Sequence, residues 1–207
     1  MSTRHRFASL CSGCILKHCV VSFPFLFRLY CFAFQLEVLS TLRAMLPGLQ
    51  VTVPNASVSF RDQLEPVVGA DLVITAHGAH AMPTMFMSPG SVVLEVFPWK
   101  FFYHVYSTHL KRCGVHTMAL RANSVDMAAA EWLFGPQPDA KRLLGRLHTL
   151  MQSDDGTPLP TNTTDASVVS DVVLLRSTPT LVNLTSLRAA VETAVALVRN
   201  TTTCGDL

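Results

Sequence analysis

The 207 residues carry 16 Lys and Arg against 14 Asp and Glu, and a net charge of +2 with no block of like charges excludes nucleic-acid binding driven by charge. Apolar residues make up 49% and charged residues 14%, well below the roughly 25% charged content of an average soluble chain. Such a composition excludes disorder, and the length allows one domain with a sizeable core.

Residues 15–34, ILKHCVVSFPFLFRLYCFAF, are about long enough to cross a bilayer, but Lys17, His18 and Arg28 interrupt them. Each central charge costs roughly 2.5–3.5 kcal/mol on insertion. The unbroken apolar run, residues 19–27, matches the core of a signal peptide, with Arg4, Arg6 and Lys17 as its basic flank. Residues 1–36 therefore read as a hydrophobic leader, a signal or signal-anchor, followed by a domain over 37–207. Cys11-Ser-Gly-Cys14 has the gap of a zinc or redox motif. No second pair accompanies it and its neighbours are apolar, so it reads as part of the leader.

Residues 49–53, LQVTV, read as a strand broken by Pro54 and Asn55. Ser59 and Asp62 form a start resembling a capping box, opening a helix to about residue 68. Residues 71–76 are a second strand. A short helix over 79–87 follows, in which Pro83 must occupy the first turn. A turn at Ser88-Pro-Gly90 leads into a third strand, 91–97. Residues 101–112 read as a helix ended by Cys113-Gly114, and 115–120 as a fourth strand.

Alternating strands and helices imply parallel strands joined by right-handed crossovers. Apolar runs without polar alternation imply helices on both sheet faces. The predicted class is thus α/β, a doubly wound Rossmann-like domain. Beyond Ala122 the pattern weakens: residues 151–167 read as a loop and 171–175 as a strand. Residues 184–199 read as a packing helix with Leu187, Val191, Ala194 and Val198 on one stripe.

Ligands of such sheets bind beyond the carboxyl ends of the strands. His77 and Gly78 stand just past the second strand, Glu95 near the end of the third, and Lys100 and His104 at the start of the next helix. Gly78 allows a tight turn and close approach, and the helix start after it offers free amides to a phosphate. Glu95, in an otherwise apolar strand, needs a partner, and Lys100, Arg112 or a ligand hydroxyl would serve. His77 and His80 have the spacing of a metal pair but lack a third ligand, so no metal site is expected. A G-x-S-x-G elbow, a G-x-G-x-x-G run and a P-loop are all absent from the sequence. Four N-x-S/T sequons, at Asn55, Asn162, Asn183 and Asn200, are N-glycosylation candidates and with the leader point to the secretory lumen.

The run from Ser59 to Pro98 resembles the C-terminal domain of glycosyltransferase family 61. Phe60, Gln63, His77-Gly78-Ala79, Phe86-Met87, Pro89-Gly90-Ser91-Val92-Val93, Glu95 and Phe97-Pro98 fall in order on that family's pattern. A weaker similarity covers residues 37–120 and 182–198. The resemblance implies the C-terminal half of a GT-B fold and a UDP-sugar as donor substrate, with no permanently bound cofactor. It implies inverting transfer of a hexose or pentose to a protein or glycan hydroxyl in the Golgi or endoplasmic reticulum, with a type II membrane anchor compatible. On it His77, Gly78, Ala79, Glu95 and Lys100 line the nucleotide-sugar site, and no catalytic base is assigned. The chain departs from the pattern at His80 and at Ala81-Met82-Pro83, and the family's N-terminal acceptor domain does not precede it. The expectation is a truncated or mis-spliced form whose first ~35 residues are not family sequence. The rivals are a catalytically inactive lumenal glycoprotein that keeps the nucleotide-binding fold, and a membrane-anchored structural protein.

Overall fold

Every residue of VVLEVF, at Val92–Phe97, is buried, as expected of a strand with helices on both sides. The computed structural model describes residues 18–22, 31–53, 59–152 and 157–202. Five strands, β1 (His18–Ser22), β2 (Gln50–Thr52), β3 (Leu72–Ala76), β4 (Val92–Phe97) and β5 (His116–Arg121), form one parallel sheet in the order β2-β1-β3-β4-β5. That is one of the two common doubly wound orders, with its switch point between β1 and β3. The α/β Rossmann-like architecture expected from the alternating pattern is therefore present.

The crossovers are α1 (Cys31–Met45), α2 (Phe60–Val68), a 3-10 helix (Ala79–Phe86) and α3 (Val105–Arg112). Alternate residues of each strand point to opposite faces, and two cores result. Cys19, Val21, Leu72, Ile74, Val92 and Leu94 pack under Val38 and Leu42 of α1 on one face. Val20, Val73 and Val93 pack under Val67 of α2, Met87 and Leu110 of α3 on the other. The chain then adds β6 (Ser124–Val125), α4 (Met127–Phe134), α5 (Ala140–Gln152), α6 (Ala166–Ser177), β7 (Thr180–Leu181) and α7 (Leu184–Thr202). Antiparallel pairing of β6 with β7 returns the chain to the sheet. There Leu187, Val191 and Ala194, all at 0% exposure, seal the α1 face as their spacing predicts.

Four expectations are corrected by the fold. First, β1 comes from the apolar stretch assigned to the leader, and it lies between β2 and β3, with Cys19 opposite Leu72 and Val20 opposite Val73. A five-residue apolar run suits a buried strand as well as a signal core, and only its neighbours decide between them. Here His18 N donates to Asp71 Oδ2 at 2.9 Å and Asp71 N donates to His18 O at 3.0 Å, which fixes the strand's entry. The domain thus reaches upstream of residue 37. Residues 31–36 of the assigned leader open α1, and residues 1–17 and 23–30, including Cys11, Cys14 and Arg28, lie outside the described residues.

Second, Ala79–Phe86 is a 3-10 helix with Pro83 in its middle. Pro83 lacks the amide and crowds the fourth carbonyl before it, which i→i+3 bonding tolerates better than an α-turn. Third, α3 begins at Val105, because Phe101 and Phe102 leave the helical path to pack their rings on His77 and Phe97. Fourth, residues 171–175 are helical, inside α6. Asp165 caps that helix by accepting from Ser167 N at 2.9 Å, and Asp171, Leu174, Leu175 and Thr178 are buried at helical spacing. Packing of that stripe overrides the β-branched composition. No helix among the described residues is long and apolar enough to cross a membrane.

Candidate functional site

Strand register brings the two central side chains together. Thr75 on β3 pairs with Glu95 on β4, and Ala76 with Val96. One residue past the strand end, His77 N still donates to Val96 O at 2.7 Å, so the ladder continues. Two-residue periodicity then puts His77 on the same face as Glu95 and Phe97, the face covered by α2, the 3-10 helix and α3. His77 Nδ1 lies 2.7 Å from Glu95 Oε1, with the two side chains 5% and 6% exposed.

This pairing resolves the question raised by a carboxylate in an apolar strand. An isolated buried charge would be strongly destabilising, and a short hydrogen bond from an imidazole compensates it. The candidate partners Lys100 and Arg112 are superseded by His77, which the register places closer. The ring of His77 stacks on Phe97 at 4.9 Å and 25°, with Phe101 at 5.0 Å and Tyr106 at 6.0 Å. Burial raises the Tyr106 pKa, the negative charge of Glu95 adds to that rise, and Arg176 opposes it. Phe97, Phe101 and Tyr106 were not singled out as site residues in the sequence. For Phe97 the signal was there, since it lies two residues from Glu95 and so on the same face. Phe101 and Tyr106 were hidden by the helix expected to run through them.

Gly78 follows with φ 147° and ψ −176°, backbone that only glycine adopts without strain. It aims the chain into the 3-10 helix, whose first closed ring is Ala81 N to Gly78 O at 2.9 Å. Ala79 is exposed at the helix start. The amides of Ala79 and His80 precede that first ring and have no partner within the helix.

Lys100 is not at a helix start. It occupies a turn in which Phe101 N donates to Pro98 O at 3.1 Å, with φ 55°. Its Nζ lies 5.0 Å from the Trp99 ring centre, and its carbonyl accepts from Leu159 N at 2.9 Å. His104 precedes α3 and its Nδ1 is 3.2 Å from Ser107 Oγ.

Among the sequons, Asn162 is exposed in the loop before α6. Asn183 is exposed and caps α7 through Oδ1, which accepts from Thr185 N at 2.8 Å and from Ser186 N at 3.3 Å. Asn200 lies within α7, and Asn55 lies outside the described residues. A separate groove of about 360 Å³ between α4, α5 and α6 is lined by Phe134, Arg142, Leu143, Arg146, Val173 and Leu174. Its two arginines already hold Asp139 and Asp171, which leaves it without an uncommitted charge to fix a ligand.

The residues of the family-like run divide between the two ends of the sheet, with His77 and Glu95 at the carboxyl ends of the strands and Gly90 before the amino end of β4. Phe60 of α2 meets Phe86 edge-to-face at 6.3 Å, Gly90 turns with φ 87° into β4, and His77 meets Glu95. No protein-family model and no curated protein matches the chain.

Proposed function

We propose that the chain is the donor-binding half of a glycosyltransferase that resembles family 61, with a GT-B architecture in the complete enzyme. A UDP-sugar occupies the crevice beyond the carboxyl ends of β3 and β4. The sugar passes with inversion to a protein or glycan hydroxyl in the lumen of the secretory pathway. The observation that carries this reading is the buried His77–Glu95 pair, 2.7 Å apart where two parallel strands end. Ligands of doubly wound sheets bind at such ends, and a carboxylate buried in an apolar strand is costly unless it is paired. The ordered residues from Phe60 to Pro98 support it independently of the geometry.

Calorimetry of the chain with UDP tests the proposal. Micromolar binding is expected, and His77→Ala should weaken it at least tenfold while the far-ultraviolet spectrum stays unchanged. Equal affinity in that variant would remove His77 from the site. One observation favours the second reading, an inactive lumenal glycoprotein: the pair is nearly closed to solvent, at 5% and 6% exposure. A folded chain with no UDP affinity at millimolar concentration would establish that reading instead.

A further inference from the structure

An imidazole can be approached at two faces and two nitrogen edges. In His77, Phe97 stacks on a face, Phe101 and Tyr106 crowd the ring at a tilt, and Glu95 takes the Nδ1 edge. Among the described residues no hydrogen-bond partner falls to Nε2, although the side chain is only 5% exposed. The edge that carries Nε2 is thus the remaining approach to the ring. No buried side-chain nitrogen or oxygen among the described residues lacks a partner, so Nε2 reaches solvent along this edge, where a ligand can meet it.

We propose that Nε2 of His77 accepts a hydrogen bond from a hydroxyl of the bound nucleotide sugar, and that Glu95 is the positioning residue that makes it an acceptor. This rests on the reading of the crevice as a nucleotide-sugar site. A carboxylate can only accept, so Nδ1 must carry the proton it shares with Glu95. The neutral ring has one N–H, and the lone pair is left on Nε2. Phosphate oxygens are themselves acceptors and are repelled there. Ribose and sugar hydroxyls are donors and fit. The pair therefore selects the hydroxyl-bearing parts of the ligand and turns the diphosphate away from the imidazole.

Long-range nitrogen–proton NMR on the chain labelled at histidine nitrogens tests this, at mildly alkaline pH where an imidazole is ordinarily neutral. The ligand-free protein should show His77 protonated at Nδ1 and bare at Nε2. A proton on Nε2 would overturn the proposal without any variant being needed. Adding UDP should move the Nε2 resonance to lower frequency if the ribose supplies the hydroxyl. A shift with UDP-N-acetylglucosamine but not with UDP assigns the hydroxyl to the sugar. Calorimetric binding of both ligands with Nε2 unmoved overturns the acceptor role and leaves the donor site standing. No binding of either overturns both. Glu95→Gln can donate or accept at Nδ1, so it should mix the two tautomers and weaken UDP binding about tenfold, whereas Glu95→Asp should keep the Nδ1–H tautomer and most of the affinity. A purely structural Glu95 would leave the tautomer ratio the same in both variants.

Discussion

Burial pushes the Cys19 thiol from its ordinary 9.0 up to about 12, and the charge of Asp71 adds to the rise. Cys19 sits in β1 at 0% exposure. Above pH 9 the unfolded thiol loses its proton while the folded one keeps it, so the folded state binds more protons and stability falls from about pH 9 towards about 12. In Cys19→Ala that alkaline loss should shrink, against a cavity cost of about 1 kcal/mol at neutral pH. Urea melts of both proteins at about pH 7 and about pH 10 check it; an identical alkaline loss in the variant would clear Cys19 of the effect. Thiolate is the reactive form, so iodoacetamide should label the exposed Cys113 in the native chain and spare Cys19 until unfolding.

Lys100 is a second residue with a local cost. With φ 55° it occupies the left-handed region, which disfavours β-branched side chains and suits Asn or Gly. Lys100→Val should therefore lower stability by about 1–2 kcal/mol, while Lys100→Asn should stay within about 0.5 kcal/mol of wild type. Equal stabilities in a denaturant titration would mean that the turn relaxes. Neither cost could be read from the sequence, where Lys100 looked like a helix start.

At the scale of elements, α5 and α6 are joined by Arg146, which grips Asp171 with Nε at 2.7 Å and Nη2 at 2.5 Å. Asp171 is 8% exposed and the arginine 44%. Removing the guanidinium leaves a buried carboxylate unpaired, yet water already screens the other side. Arg146→Ala should cost about 1–2 kcal/mol, below the range for a fully buried pair. Part of that should return in the double variant with Asp171→Asn, and the cycle gives the coupling. A coupling near zero would assign the α5–α6 contact to apolar packing alone. The elements show what local pattern can and cannot carry. The strand at 91–97 was legible as a short apolar run bounded by a turn, and the helix at 184–199 by a stripe at helical spacing. Residues 171–175 were misleading because Val and Leu suit a strand, and only the packing of the buried stripe of Asp171, Leu174, Leu175 and Thr178 selects the helix.

At the scale of the molecule, β1 is an inner strand with neighbours on both sides. A chain begun at Glu37 leaves β2 and β3 without the strand that joins them, so it should aggregate or melt without cooperativity. A chain begun at Lys17 keeps β1 and should melt in one transition. Differential scanning calorimetry separates the outcomes, and a cooperative melt of residues 37–207 would show that the sheet closes without β1.

The amino-acid order by itself determined the alternation of strands and helices, the two-sided burial of the sheet and the stripe on α7, because each depends on neighbours a few positions apart. It also placed His77, Gly78 and Glu95 at strand ends. Only the tertiary structure decided that β1 lies inside the sheet and that His77, not Lys100 or Arg112, holds Glu95. Only there do Phe101 and Tyr106 close around the imidazole. Each of these is settled by pairing or register between segments far apart in the chain, where one residue of slip would turn a side chain to the opposite face.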